Sequence, residues 1–347
     1  MLKYIAFGLI LLTSFRSYAN YATAMQAFER EDYESAIQEI ADLLQQGEPK
    51  AQYLMGLMYY HGGGVTQDYK KAFELFKQAA DEGLPDAIAF EAYMYDSGKG
   101  VVADKRKAFD LYREASEAGN VTASINLGVM FYKGDGIPQS YDKAFDLFSE
   151  NDHIASETLQ FYLGNMYYFG YGVQPDIKKA EKYYLNAAAL GSMKAHYHLG
   201  HIYQNQGNAE AEKYYLYSAY NGDTDAMFNL ASLYVDGTMG SVQKEKAYAW
   251  LSKAADEGMA DAKKTLSSLE ATMGFMEISK GKAYLVEIES TSPSTITSPV
   301  PKSVLSSMSS RAVAKLPTQG SSTSSTSSGG KSGASSGTLI RRRVRRR

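Results

Sequence analysis

The sequence predicts an all-α protein built as a solenoid of helix-turn-helix repeats. The first observation is a pattern that begins at Ala51 and returns every 36 residues, apart from one shorter step of 31 residues. The second is that apolar side chains recur at helical spacing on both sides of a glycine-rich turn within each interval. A constant period of this length is typical of a solenoid, whose units bury their apolar faces against their neighbours. The equivalents of Ala51 are Ala87, Ala123, Leu159, Ala195, Ala226 and Ala262.

Each repeat unit is expected to contain two helices, A and B. Helix A has a small residue at its centre, such as Gly56, where another helix can approach closely. A Gly-x-Gly-Val turn follows, as at Gly62, Gly64 and Val65. Helix B then begins at an acidic residue suited to a helix N-terminus and stops at a glycine. The acidic residues are Asp68, Asp104 and Asp176, and the glycines are Gly83, Gly119, Gly191, Gly222 and Gly258.

Residues 51–270 resemble the Sel-one-like repeat, a relative of the tetratricopeptide repeat. The best matching stretches are 51–83, 123–148 and 159–191, and Trp250 stands where this family prefers a tryptophan. The resemblance implies a right-handed α-solenoid of about six repeats. It also implies a concave surface, lined by the A helices, that binds other proteins or peptides.

The first 19 residues have the features of a signal peptide. Lys3 is followed by an apolar stretch too short to span a bilayer, and Ser17-Tyr18-Ala19 fits a cleavage site. We therefore expect an exported bacterial protein, periplasmic or secreted, whose mature chain begins at Asn20 and has no transmembrane segment. The chain has no cysteine, which excludes disulfides and thiolate chemistry.

The two ends of the solenoid are expected to carry caps. Residues 20–50 form a degenerate first unit with two helices and no Gly-x-Gly-Val turn. Residues 271–290 form a C-terminal cap, and the sequence favours a helix there over a short strand.

From residue 291 to residue 347 the composition changes to Ser, Thr, Pro and Gly, which predicts a disordered tail. This tail holds ten basic residues and no acid, while residues 20–290 hold 24 basic and 39 acidic residues. A solvated end, self-docking on the acidic solenoid and attachment to an anionic envelope surface all remain open. The candidate contacts for an anionic surface are Arg341, Arg342, Arg343, Arg345, Arg346 and Arg347. Nucleic acid is not an expected partner of an exported chain.

Catalytic motifs and cofactor sites are not found in the sequence. The Gly-x-Gly turns lie between two helices, so they do not fit a nucleotide-binding fingerprint. His196, His198 and His201 share one helix A, but their spacings spread them around its axis, so we predict neither a metal site nor a cofactor. We expect that the protein is not an enzyme.

Three positions depart from the repeat pattern and are candidate irregular or hinge sites. Glu91 places a carboxylate where the other units have Met or Leu, so either helix A rotates to let it reach water or the site is functional. Asn151 and Asp152 replace the Ala-Ala pair of helix B, which predicts an early end of that helix and a looser joint.

The candidate partner-binding groove consists of helix A positions that vary between units. The alternative is that these side chains only pack between helices. Aromatic groups that can form hydrogen bonds suit peptide or glycan contact, because they offer a large area and little rotamer entropy. The candidates are Tyr53, Leu54, Phe90, Asn126, Phe161, Tyr162, Tyr197 and His198.

Two functions follow from these features. The first is an exported, non-enzymatic scaffold or adaptor that holds a protein or peptide partner of the cell envelope or exterior on its concave surface. The alternative is an enzyme or binding protein that acts on cell-wall or glycan material.

Overall fold

The computed structural model describes residues 20–237 and 240–309, with side chains as far as residue 306. This part of the chain is helical, with no β-strand. The first helix, α1, is described over residues 20–29. The following helices are α2 (Tyr33–Gln45), α3 (Pro49–His61), α4 (Tyr69–Asp81), α5 (Pro85–Ser97), α6 (Lys105–Glu117), α7 (Val121–Lys133), α8 (Tyr141–Glu150) and α9 (Glu157–Phe169). The remaining ones are α10 (Ile177–Ala189), α11 (Met193–Asn205), α12 (Glu210–Tyr220), α13 (Thr224–Asp236), α14 (Lys244–Asp256), α15 (Ala260–Glu270), α16 (Phe275–Ser290) and α17 (Lys302–Ser309), with a 3₁₀ turn at Pro293–Thr295.

The helices α3 to α14 form six A/B pairs stacked in chain order. The odd-numbered members are the A helices and the even-numbered ones the B helices, and each packs against the helices before and after it. The predicted right-handed α-solenoid is confirmed. Its core consists of three apolar clusters that follow one another along the stack, as expected when each unit buries its face only against neighbours.

The turn between helices A and B has the same geometry in successive units. Gly62 ends helix α3 in the left-handed conformation (φ 77°), where its missing side chain avoids strain. The amide of Asp68 then donates back to the carbonyl of Tyr59 over 2.9 Å, and the Asp68 carboxylate accepts hydrogen bonds from the first turn of α4. The same backbone bond closes the turn at Asp104, Ser140, Asp176 and Gln243.

Two units are irregular where the sequence indicates. Helix α8 has 10 residues while α6 has 13, so the predicted early end at Asn151 is confirmed. In the fifth unit α11 and α12 are joined by residues 206–209 alone, because the step of 31 residues removes the Gly-x-Gly-Val turn.

Both caps are helical. Helices α1 and α2 precede the first full unit, and α16 is the helix that the sequence favoured at the C-terminal end, packed on α14. No described helix is both long enough and apolar enough to cross a membrane.

The segment after α16 differs from the predicted disordered tail. Residues 291–309 turn back along the stack, and α17 packs against α10. The physical reason is a short apolar sequence within the Ser- and Pro-rich stretch, since Val300 is buried and Val304 packs against the same cluster. The six C-terminal arginines and the signal peptide lie outside the described residues.

Candidate partner-binding surface

Five of the eight candidate groove residues are buried. For these five, the prediction that they line an accessible groove is wrong. At these positions a helix A packs against neighbouring A and B helices. Phe90 shows why, because its ring stacks on Phe76 of α4 at 4.5 Å and meets Tyr53 of α3 edge-on at 5.9 Å. These positions supply inter-helix packing, which is the alternative that the sequence left open. The five residues are Tyr53, Leu54, Phe90, Asn126 and Tyr162.

The other three candidates, Phe161, Tyr197 and His198, are half-buried and lie together. His198 stacks almost parallel on Tyr184, with ring centroids 4.9 Å apart. Its ring also contacts Phe161 on the preceding helix A and Tyr197 beside it on α11. The structure thus brings the accessible candidates of α9 and α11 together, whereas Tyr53 and Phe90 meet in the buried core.

Four further side chains extend this cluster beyond the candidate groove residues. Tyr168, Phe169, Tyr171 and His201 follow the core positions of α9 and α11 toward the turns. Their signal in the sequence is the run Tyr167-Tyr168-Phe169, which continues an aromatic stretch beyond the buried repeat position. We define the aromatic patch as Phe161, Tyr168, Phe169, Tyr171, His198 and His201.

The aromatic patch joins its members through ring contacts and one polar contact. Phe169, which is 43% exposed, stacks on Tyr171 at 5.3 Å and meets His198 edge-on at 6.2 Å. The hydroxyl of Tyr168 lies 2.7 Å from Nδ1 of His201. An exposed apolar ring beside tyrosine and histidine edges gives a surface with both apolar area and hydrogen-bonding groups.

The histidines of the aromatic patch are neutral at neutral pH. Burial lowers the pKa of His198 to about 4, and the nearby His201 and Lys194 add to this shift. Burial also lowers the pKa of His201. The Tyr168 hydroxyl can then donate to Nδ1 of a neutral imidazole. The patch is therefore an uncharged surface on a chain whose overall body is acidic.

A second aromatic cluster surrounds the ammonium group of Lys99 in the turn after α5. This group donates to the Tyr60 hydroxyl over 2.6 Å. It also lies 5.0, 5.4 and 5.6 Å from the ring centroids of Tyr60, Tyr69 and Tyr93. Such distances are within the range of cation–π attraction. Two units later the equivalent of Lys99 is Tyr171, whose ring stacks on Tyr141 at 4.4 Å.

The candidate hinge residues have specific surroundings. Glu91 is buried, and its burial raises the pKa of its carboxyl group, although Lys107 and Lys77 oppose this effect. The Asn151 amide donates to the Leu147 carbonyl and the Ser124 hydroxyl. Hinge motion at these positions stays a prediction.

The loop at Asp152 is held by side chains from the neighbouring helices. The amide group of Gln160 donates to the carbonyl oxygens of Asp152 and Ile154 over 2.9 and 3.0 Å, and Tyr183 donates to the Asp152 carboxylate. The short α8 is thus followed by a hydrogen-bonded loop, and α8 packs less extensively against α9 than α6 packs against α7, which agrees with the looser joint that the sequence predicts.

Comparison with known proteins agrees with this architecture. The Sel1 repeat family model matches residues 49–84, 85–120, 121–150, 159–192 and 224–259. No curated protein sequence matches the chain. A solved structure of a protective antigen from uropathogenic Escherichia coli strains, which displays an SLR fold, is similar with a TM-score of 0.64 and 28% identity. That match covers 79% of this chain and 61% of the other, so this chain spans about six tenths of the antigen's length.

A Sel1 repeat protein from Oxalobacter formigenes is also similar. Its TM-score is 0.58 and its identity 28%, over 68% of this chain and 96% of that protein. The helix pairs and the repeating turns define a helical-repeat protein of the kind that commonly serves as a protein-interaction scaffold. The chain belongs to the Sel1-like repeat proteins.

Proposed function

We propose that this Sel1-like repeat protein is an exported, non-enzymatic scaffold that holds a protein or peptide partner on its helix-A surface. The aromatic patch is the contact site in this proposal. The observation that supports it is the half-exposed, uncharged cluster on α9 and α11. These two helices carry the groove candidates whose aromatic rings are still partly accessible. Rigid aromatic side chains lose little entropy when they bind, which is why they dominate protein interfaces.

The chemistry of the patch suits binding more than catalysis. The His201 Nδ1 atom already faces the Tyr168 hydroxyl, and the ring of His198 is stacked on Tyr184. Both imidazoles therefore serve to order the surface. A peptide that presents apolar and aromatic side chains, together with backbone groups for the polar edges, fits this surface.

Export and an anionic surface contact complete the proposal. Signal peptidase would remove residues 1–19, and the six C-terminal arginines would attach the protein to an anionic surface of the envelope. Expression of the full chain with periplasmic fractionation tests export. We expect a mature protein with Asn20 at its N-terminus, and an unprocessed chain in the cytoplasm would contradict export.

The partner site is tested with Phe169→Asp in the full chain. The matched control is Phe275→Asp, which places the same charge on an 85% exposed ring of α16, far along the sequence from the patch. Proteins retained from an envelope extract would be identified, purified and titrated by calorimetry against wild type and both variants. We expect at least tenfold weaker binding for Phe169→Asp and no change for Phe275→Asp, with equal melting temperatures. Equal binding by all three would contradict the site, and substrate turnover without a stable partner would favour the enzyme alternative.

A further inference from the structure

The C-terminal segment forms a strap across the middle of the solenoid. We define the strap as residues 296–304, which follow the 3₁₀ turn and lead into α17. Val300 is only 4% exposed, and it belongs to the apolar cluster of the units around α9 and α10, against which the partly buried Val304 also packs. The strap therefore contacts a unit about 100 residues earlier in the chain.

One polar contact fixes the strap on α11. Nε2 of the fully buried His196 lies 2.9 Å from the hydroxyl oxygen of Ser298, while Nδ1 lies 2.8 Å from the carbonyl oxygen of Ser192. A carbonyl oxygen can only accept, so Nδ1 must carry the proton. Burial lowers the pKa of His196 to about 4, so the ring is neutral at neutral pH and Nε2 is an acceptor. The Ser298 hydroxyl consequently donates to Nε2.

At the same repeat position the polar side chains of two other units bond to neighbouring helices and loops, although the Gln52 Oε1 atom is buried without a partner among the described residues. Gln52 donates to Gln78 of its own helix B, and Gln160 bonds the carbonyl oxygens of the loop before it. At His196 the corresponding helix B position is Tyr217, whose ring packs on the imidazole at 4.3 Å. Nε2 thus takes its partner from the strap.

The strap sequence is suited to bind as an extended peptide. Pro299 and Pro301 flank Val300, and each proline restricts its own backbone and favours an extended conformation in the residue before it. A peptide with this restriction loses less conformational entropy on docking. Neither proline has an amide hydrogen that would require a partner at the buried contact.

We infer that the edge of α10 and α11 is a peptide-docking site for a segment with a hydroxyl donor and, two residues later, a valine in extended conformation, followed by a short helix that carries a second valine six residues after the donor. Its resident ligand is the chain's own strap, through Ser298, Val300 and Val304. A partner with the same pattern must displace the strap to bind there. The inference is independent of the proposed role of the aromatic patch, and it places the start of the basic tail beside α10.

The test uses the full chain with Ser298→Ala and Val300→Asp. These two substitutions weaken the binding of the strap to its own docking site without removing it from the chain. A fluorescently labelled peptide of residues 291–309 is then titrated by anisotropy. We expect saturable binding to this strap variant and at least tenfold weaker binding to wild type, whose own strap occupies the site. The peptide that carries Ser298→Ala should bind about tenfold more weakly, because it leaves the acceptor on His196 unpaired. Adding His196→Met to the strap variant removes that acceptor, so the two peptides should then bind with equal affinity. Methionine is chosen because it is the residue at this position in the next unit.

Folding is checked separately by circular dichroism. A folded strap variant that does not bind the peptide overturns the inference, as does wild type that binds as tightly as the variant. If the double substitution unfolds the protein, the single variant Ser298→Ala is compared with wild type by hydrogen exchange. Faster exchange confined to residues 296–309 supports the inference, and unchanged exchange there overturns it. A concentration-dependent dimer of wild type that Val300→Asp dissociates would overturn the assignment of the strap to its own chain.

Discussion

Gly128 on α7 faces the ring of Phe148 on α8 so closely that a Cβ atom at this glycine would lie 2.5 Å from Cε1 of the ring. The same relationship joins Gly56 to Phe76 and Gly164 to Tyr184. A distance of this kind is too short for two carbon atoms, so the aromatic ring or the helix would have to move. The small residue in helix A is therefore required by the large residue in helix B.

The first prediction is that Gly128→Ala destabilises the protein by about 1–3 kcal/mol, despite the better helix propensity of alanine. The measurement is urea unfolding at pH 7. The matched control is the double variant Gly128→Ala with Phe148→Leu, which reproduces the natural pair of Ala231 and Leu251 in the last unit. It should recover part of the lost stability. A stabilising effect of the single substitution would show that the close packing does not restrain this pair.

The second prediction concerns the buried carboxylate of Glu91 on α5. Burial raises its pKa, which means that the charged form is disfavoured in the folded state. Glu91→Leu should therefore raise the free energy of unfolding by an amount on the order of 1 kcal/mol at pH 7. The gain should shrink as the pH falls through the folded pKa, because the wild-type carboxyl group is then neutral.

Thermal unfolding of Glu91→Leu, wild type and Glu91→Gln at several pH values checks this. The glutamine variant removes the charge and keeps a polar side chain. A lower melting temperature for Glu91→Leu would show instead that the nearby Lys107 and Lys77 already stabilise the carboxylate.

The third prediction is a pH effect from His198, whose pKa falls from 6.5 to about 4 on folding. Between these values the unfolded chain binds a proton that the folded chain does not, so stability rises with pH. His198→Phe removes this dependence and introduces the residue that the second unit has at this position, Phe90. The variant should be within about 1 kcal/mol of wild type at pH 7 and more stable than wild type by up to about 3 kcal/mol near pH 4.

Urea unfolding of both proteins across pH 4 to 7 gives this difference directly. His196 has a similarly lowered pKa in both proteins, so its contribution cancels in the comparison. A difference in stability that stays constant with pH would contradict the stated protonation of His198.

The repeat pattern is sufficient to predict most of the fold. The period, the central glycines and the acidic N-caps indicate the helix pairs, because each is a local requirement of the same two-helix unit. The return of the C-terminal strap is different, since it depends on the fit of Val300 and Ser298 to residues about 100 positions away. Such a contact has no local pattern.

Which side chains remain accessible on the surface is harder to predict than the fold, as the buried groove candidates show. Periodicity places Leu54 and Phe90 on helix A, but it does not tell whether a neighbouring helix covers them. Their burial depends on the size of the rings opposite, such as Phe76 against Phe90. Phe161, Tyr197 and His198 stay partly accessible, and Tyr168 and Phe169 join them because α9 carries extra aromatic residues at its end.

The fourth prediction separates the tail from the helix-A surface. The six C-terminal arginines should bind anionic membrane surfaces, with about 1 kcal/mol for each basic residue near the surface. Deletion from residue 291 is unsuitable as a test, because it would also remove the buried Val300. Replacing Arg341, Arg342, Arg343, Arg345, Arg346 and Arg347 by serine in the full chain leaves the strap intact.

Sedimentation with vesicles of anionic phospholipid, at increasing salt, is the measurement. Wild type should bind and lose affinity as salt screens the charges, whereas the serine variant should bind at least a hundredfold more weakly at low salt. Replacement of the same six arginines by lysine retains the charge and should retain most of the binding. Partner binding at the aromatic patch should be equal in all three proteins, because the tail and the patch act separately. If the serine variant still binds anionic vesicles, or loses its protein partner, the tail does not act as an independent electrostatic attachment.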